Sequence, residues 1–241
     1  MRFNHLHPPF DNVAIRRAIL LGIKQDDYMR AVTGNDPAAY RACKALFPCG
    51  TPYGRELGAD AMPGDLDAAR AALKAAGYNG AKVIILNPAD VPSIAPFGHV
   101  TYDYFRKLGL NVELIDTDRG SVIQCRNKRD APDKGGWSVF HSWWIGTSIQ
   151  HPAVSTVIRG LGLKGWAGWY DNEKIERLTE EWLRAPIEAE QERLADDIHR
   201  EALATVPTVP LGRFFILTGY RKELTGMLEG TSPYPWNLAW T

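Results

Sequence analysis

The stretch 64–87, GDLDAARAALKAAGYNGAKVIILN, and its continuation at 100–115, VTYDYFRKLGLNVELI, decide the fold. Asp65 stands where a helix cap belongs, and Leu66, Ala69, Leu73 and Ala76 then recur at helical spacing until Gly77 ends the run. AKVIILN at 81–87 is too short and too uniformly apolar for a surface helix and reads as a buried strand. Val100, Tyr104, Phe105 and Leu108 mark a second helix that stops at Gly109, and NVELI at 111–115 gives a second strand. Helix, strand, helix, strand in so short a compass predicts an α/β fold whose sheet is mixed but largely parallel, with helices flanking it.

Before this unit, RFNHL is a short extended piece closed by Pro8 and Pro9, and Asp11 is placed to cap a helix through NVAIRRAILLGI. Ile15, Ile19 and Ile23 form its buried stripe, Gly22 suggests close packing, and Arg16 and Arg17 are expected to point elsewhere. A short helix over 25–33 ends at Gly34. From 35 to 64, four prolines and four glycines predict a long irregular segment, which is uncommon inside a compact domain unless it covers something.

After the second strand, Asp118 starts a short helix, and WSVFHSWW at 137–144 reads as an aromatic strand. Alternation sets Trp137, Val139, His141 and Trp143 on one face and Ser138, Phe140, Ser142 and Trp144 on the other. Asp171 is expected to cap a helix packing through Ile175, Leu178 and Trp182. The next helix packs through Ile187, Gln191, Leu194, Ile198 and Ala202. VPTVPLGRFFILTGYR offers a strand, or two divided by Gly212, and the tail 219–241 is aromatic and lacks a core of its own.

Composition excludes several functions. Lys plus Arg and Asp plus Glu are 28 each, so there is no basic surplus for nucleic acid or an anionic membrane. No apolar run is long enough to span a bilayer, and the first residues are not a signal peptide, which by composition alone makes the cytoplasm the default. Cys43 and Cys49 are close, with Pro48 and Gly50 to turn the chain. They are candidates for a disulfide if the protein is exported, and Cys125 is left over as a core or half-buried thiol.

Chemistry is sparse. HExxH, CxxC and GxSxG are absent, and GTPYG at 50–54 lacks the spacing of a phosphate loop. His5 and His7 could form only a weak metal pair, with no third ligand at local spacing. Asp116 and Asp118 follow a strand end, but capping a helix accounts for them more simply. No catalytic residue, metal or other cofactor is therefore expected. An aromatic at the carboxyl end of a strand, followed by the hydroxyl-bearing GTSIQHP, suits an apolar pocket with a few polar contacts instead.

An ordered set of landmarks resembles the dipeptide and oligopeptide-binding proteins of ABC importers. PPFDNVAIRRAILLGIKQDDYM (8–29) is similar to their "D-N-x-x-V-R-x-A-I" helix, with Ile15 at the Val position. LDAARAALKAAGYNG, FRKLGLNVEL, GGWSVFHSWW, the Gly-Trp-rich turn around Trp166 and Trp169, WYDNEKIERL and VPTVPLGRF follow in the family's order. The resemblance implies the second lobe of a two-lobed, clam-like protein. Residues 1–218 would form that lobe, including the irregular 35–64, and 219–241 would return toward a first lobe.

That first lobe and an export signal are expected upstream of residue 1, with the protein working in the periplasm or at the cell surface. A small solute would be captured between the lobes, without transformation, and delivered to the permease's transmembrane subunits. The implied ligand-binding residues are Trp144, Thr147, Ser148 and Gln150, with Trp143 and His141 ranked below them. In peptide-binding relatives an Asp a few residues after the aromatic pairs with the peptide's amino terminus. Thr147 stands there in this chain, so the solute is not expected to be a free-amino-terminus peptide. The competing readings are a ligand-free structural or interaction domain and, behind it, an α/β hydrolase or transferase.

Overall fold

The computed structural model describes residues 1–228, 230 and 234–241. In chain order the elements are β1 (Arg2–Phe3), α1 (Val13–Leu21), α2 (Gln25–Thr33), β2 (Tyr40–Arg41), α3 (Leu66–Ala75), β3 (Lys82–Pro88), α4 (Ala95–Leu108) and β4 (Asn111–Thr117). They continue with α5 (Arg119–Cys125), β5 (Val139–Phe140), α6 (Glu173–Arg184), α7 (Glu188–Thr205), β6 (Arg213–Phe214), β7 (Leu224–Thr225) and β8 (Ala239–Trp240). Among the described residues no helix is long and apolar enough to cross a membrane.

The main sheet has the order β1-β5-β3-β4; β3 runs parallel to both β4 and β5, and β1 is antiparallel on the edge. The fold class is thus the mixed, largely parallel α/β sheet that the sequence predicts. Val83 and Ile85 of β3 join a core with α1, α3 and α4, while Ile84 and Leu86 join a second core with Phe140, Val122 and Trp137. Burial on both faces is why this strand reads as an unbroken apolar run. A third core fills the space between α6 and α7 with Ile175, Leu178, Trp182, Leu194 and Ile198, covered by Leu46 and Phe47 from the irregular segment.

Gly22 lies where a Cβ would come within 2.4 Å of the Tyr104 hydroxyl and 3.0 Å of the Ala69 Cβ, so α1 packs against α3 and α4 at a distance only glycine allows. Several local expectations are corrected. The caps of α1 and α6 are Asn12 and Asn172, each one residue beyond the expected Asp11 and Asp171: the Asn12 side chain accepts from the Ala14 N–H and that of Asn172 from the Ile175 N–H. Asp and Asn cap about equally well, so an Asp-Asn pair leaves two possible starts and packing chooses between them.

Arg16 does not point outward but is buried. Its guanidinium donates to the carbonyls of Thr205 (2.7 Å), Val206 (3.1 Å) and Phe10 (2.7 Å), and Arg17 reaches Ala204 O. The carbonyls of residues 204–206 are orphans that end α7, and two cations at a helix C-terminus satisfy them. Ile187, expected on the packed face of α7, is 61% exposed because it precedes the first turn as the N-cap residue.

The aromatic strand is shorter than expected. Pairing covers only Val139–Phe140, because β1 supplies two partners and β3 adds Ile85 and Leu86. Trp137 also breaks the alternation: it packs with Phe140 in the second core, and beside it the Ser138 hydroxyl accepts the Ile84 N–H at 3.0 Å. The strand expected after Val206 forms only at Arg213–Phe214, where it pairs with β2. Val209 N–H instead bonds Met1 O at 2.9 Å beside β1. The tail 219–241, part of which lies outside the described residues, holds the antiparallel pair β7 and β8.

The sulfurs of Cys43 and Cys49 are bonded at 2.03 Å with Cα atoms 5.9 Å apart, and Cys125 is a free, half-buried thiol. The Gln25 side chain clamps this loop to α2: its amide donates to Cys43 O at 2.7 Å and accepts from Cys43 N–H at 2.7 Å. Arg213 donates to Cys49 O at 2.7 Å, which ties the loop to β6 as well.

Unreduced, denatured protein should therefore titrate with one thiol; three would show the pair to be reduced. Closing a short loop of this size constrains the unfolded chain, so replacing both cysteines by serine should lower stability by about 2–3 kcal/mol in urea titration. A pH dependence also follows. His141 and His199 are buried, which pushes the first well below the usual imidazole value and the second down to about 4. Both stay neutral in the folded protein while the unfolded chain takes up protons below 6.5. Their contribution is complete above that pH and is lost as pH falls, by at most about 1.4 kcal/mol per pH unit per histidine. Urea midpoints should fall between pH 6.5 and 4.5, and a flat profile there would contradict this burial.

Candidate functional site

Because β3, β4 and β5 are parallel, their carboxyl ends lie on one side of the sheet, the side where open α/β sheets take their ligands. Beyond Phe140 the chain leaves the sheet there and becomes one wall of a cleft of about 690 Å³. The disulfide loop and the segment around β6 form the other walls. That explains the irregular 35–64 segment in part: its middle covers the cleft and the core between α6 and α7.

The adjacent indoles divide as alternation requires. Trp143 turns toward the helices, donates from Nε1 to the Ser93 hydroxyl at 3.0 Å, and meets Phe214 edge-on at 6.4 Å. It is a braced wall of the cleft. Trp144 turns the other way, rests edge-on against Trp166 at 5.5 Å, and keeps 38% of its surface exposed on the cleft.

Thr147 and Gln150 follow in a 3₁₀ turn that spans Gly146–Ile149, and both line the cleft. Residues three apart in such a turn eclipse one another, which puts these two on one side and Ser148 on another. Ser148 is exposed and lies outside the lining of this cleft. The placing of His141 is corrected. It does lie opposite Trp144, but that face is packed interior: its Nε2 pairs with the Thr101 hydroxyl at 2.8 Å, and Thr101 pairs in turn with the Tyr28 hydroxyl at 3.0 Å.

Residues that the sequence did not assign to the cleft include Arg2, Trp166, Arg213 and Phe214. Only Trp166 gave a signal, as part of a Gly-Trp-rich turn; the others arrive from distant chain positions. Among the described lining residues the charged side chains are Arg2 and Arg213, and none is a carboxylate.

The remaining chemical candidates are accounted for by structure. Asp118 caps α5 by accepting from the Ser121 N–H at 3.0 Å and hydroxyl at 2.6 Å, bonds that hold its carboxyl below the usual value. Asp116 accepts from the Asn87 amide at 2.7 Å. His5 and His7 bond to different carbonyls, those of Pro207 and Arg129, and among the described residues no group of three or more His, Cys, Asp or Glu could hold a metal. The arrangement can enclose an apolar body, offer it hydroxyl and amide contacts, and face it with positive charge.

Residues 1–162 match the family described as bacterial extracellular solute-binding proteins, family 5 Middle. The chain is 31% identical over 240 residues to a protein of Sinorhizobium fredii named as a probable peptide ABC transporter periplasmic-binding protein; the match covers 99% of this chain and 45% of that one. The fold is similar to that of a dipeptide-binding protein from Pseudoalteromonas sp. SM9913 solved in complex with Met-Leu. Its TM-score is 0.77 at 19% identity, covering all of this chain and 47% of that one. HbpA2 from Haemophilus parasuis gives 0.78 at 16% identity with the same coverage. The chain spans under half the length of these relatives. With the family match covering most of its residues and a relative at this identity aligned almost end to end, the chain belongs to the bacterial extracellular solute-binding proteins of family 5.

Proposed function

We propose that this chain is the second lobe of a two-lobed solute-binding protein that works in the periplasm or at the cell surface and delivers a small solute to an ABC permease. The observation that carries this reading is the cleft at the carboxyl ends of the parallel strands, which pairs an exposed indole, Trp144, with Thr147 and Gln150. The chain is then an incomplete binding unit: an upstream lobe closes over the solute, and affinity comes from the closed state. The part-length match to the relatives supports this, as do exposed apolar side chains at the end of the lobe and in the tail, where Leu217 is 90% and Trp236 67% exposed.

Binding without chemistry is the role that fits. Trp144 stacks on or caps the solute, Trp143 is the fixed wall behind it, and Thr147 and Gln150 supply hydrogen bonds. Thr147 cannot neutralise an ammonium group, and no carboxylate lines the described part of the cleft, so a peptide held by its free amino terminus is not the solute. The exposed apolar tail also suits a second reading, a ligand-free interaction domain, and the same experiment separates the two.

Native mass spectrometry of the full-length protein, purified gently from its own host, should show one small molecule per chain. Calorimetry should give no micromolar binding of ordinary dipeptides. Trp144→Ala should weaken binding of the released molecule by about tenfold or more, equivalent to about 1.4 kcal/mol. Tight binding of several dipeptides would refute the assignment made from Thr147, and repeated recovery of empty protein would favour the interaction domain.

A further inference from the structure

Arg2 is 2% exposed, yet it forms part of the cleft wall. A guanidinium has five N–H donors. Three are used on backbone carbonyls: Nε donates to Ala167 O at 2.9 Å, and Nη1 to Val157 O at 2.9 Å and Pro207 O at 3.1 Å. Among the described residues the two on Nη2 meet no acceptor, and no carboxylate lies within ion-pair distance. The guanidinium sits 5.1 Å over the ring of Trp166, the indole on which Trp144 rests.

A buried cation without a counter-ion is costly, and neutral carbonyls offset only part of that cost. Burial, with Arg16 adding repulsion, lowers its pKa to about 9, so the group remains charged at neutral pH. Arg213 adds a second guanidinium at the cleft. Arg16 is the instructive contrast. It too is buried among carbonyls, but all three of its nitrogens are engaged, and it caps a helix away from the cleft.

We infer that the solute of this cleft carries a carboxylate, which accepts from the free Nη2 of Arg2 while an apolar body lies against Trp144 and Trp166. The inference rests on the solute-binding reading above and deepens it by naming the solute's charge. A low-dielectric wall strengthens such a pair, and a charge-assisted hydrogen bond rejects the uncharged analogue because the arginine is then left without an anion.

The test uses the full-length protein. The molecule it releases on denaturation should be anionic at pH 7 by electrophoretic mobility. N-acetyl-leucine should displace that molecule at least tenfold more effectively than N-acetyl-leucinamide, which has nearly the same shape, lacks the negative charge and equally has no free amine. Arg2→Gln should abolish this preference and Arg2→Lys should keep part of it, with near-ultraviolet circular dichroism reporting the fold. If Arg2→Gln does not fold, the wild-type preference and Arg2→Lys still decide. A neutral or cationic released molecule, or equal displacement by the amide, would overturn the carboxylate inference and leave solute binding standing. Protein that is repeatedly empty would overturn both.

Discussion

The burial of β3 on both faces is the constraint on which the rest of the structure depends. Four successive apolar residues, Val83 to Leu86, are shared alternately between two cores, so helices must cover one face and α5 with the aromatic turns must cover the other. A strand buried in this way sits in the interior of a sheet, and β4 and β5 flank it in parallel. Parallel pairing in turn gathers the strands' carboxyl ends at one edge. The cleft is a consequence of that gathering: the chain leaving β5 crosses the edge as Ser142 to Gln150 and gives the cleft two of its indoles and the hydroxyl of Thr147.

A second layer of organisation comes from long polar side chains that bond to backbone. Arg16 joins the end of α7 to the turn before α1, Arg2 joins three loops around the cleft, and Gln25 joins α2 to the disulfide loop. Each satisfies carbonyls that irregular chain leaves without partners, which is how segments with little regular structure become fixed walls. Fixed walls matter to a binding protein, since a cleft already in place loses little entropy when it takes a solute. Trp143, held by Ser93 and Phe214, follows the same logic.

Within this frame Arg2 has two roles of different kinds. Its three carbonyl bonds are structural, and its remaining donors are those inferred to serve the cleft that Arg2 lines. Arg16 shows what a purely structural arginine looks like in this chain, with every nitrogen engaged. The difference between them is that Nη2 of Arg16 donates to a carbonyl and Nη2 of Arg2 does not, and it gives the cleft a sign of charge that the balanced composition of the chain conceals.

Helix periodicity, glycine stops and the apolar run of β3 were legible in the sequence because they are local: α3, α4 and α5, with Gly77 and Gly109 at their ends, fall where spacing puts them. The family landmarks were legible for the same reason, since they are ordered strings. Part of the site was legible too. The opposite facing of Trp143 and Trp144 follows from alternation, and the proximity of Thr147 to Trp144 from chain order. What alternation could not say is which face is cleft and which is core, so His141 was placed on the correct side of the strand but outside the cleft. Arg2, Arg213 and Phe214 could not be found at all, because they reach the cleft from opposite ends of the chain. The sequence by itself determined the helices, the parallel strands β3 and β4, their order and the family; only the tertiary structure decided the short strands, which side chains share the cleft and that Arg2 is buried there. The physical reason is that periodicity is set by neighbours along the chain, whereas burial and charge compensation are set by neighbours in space.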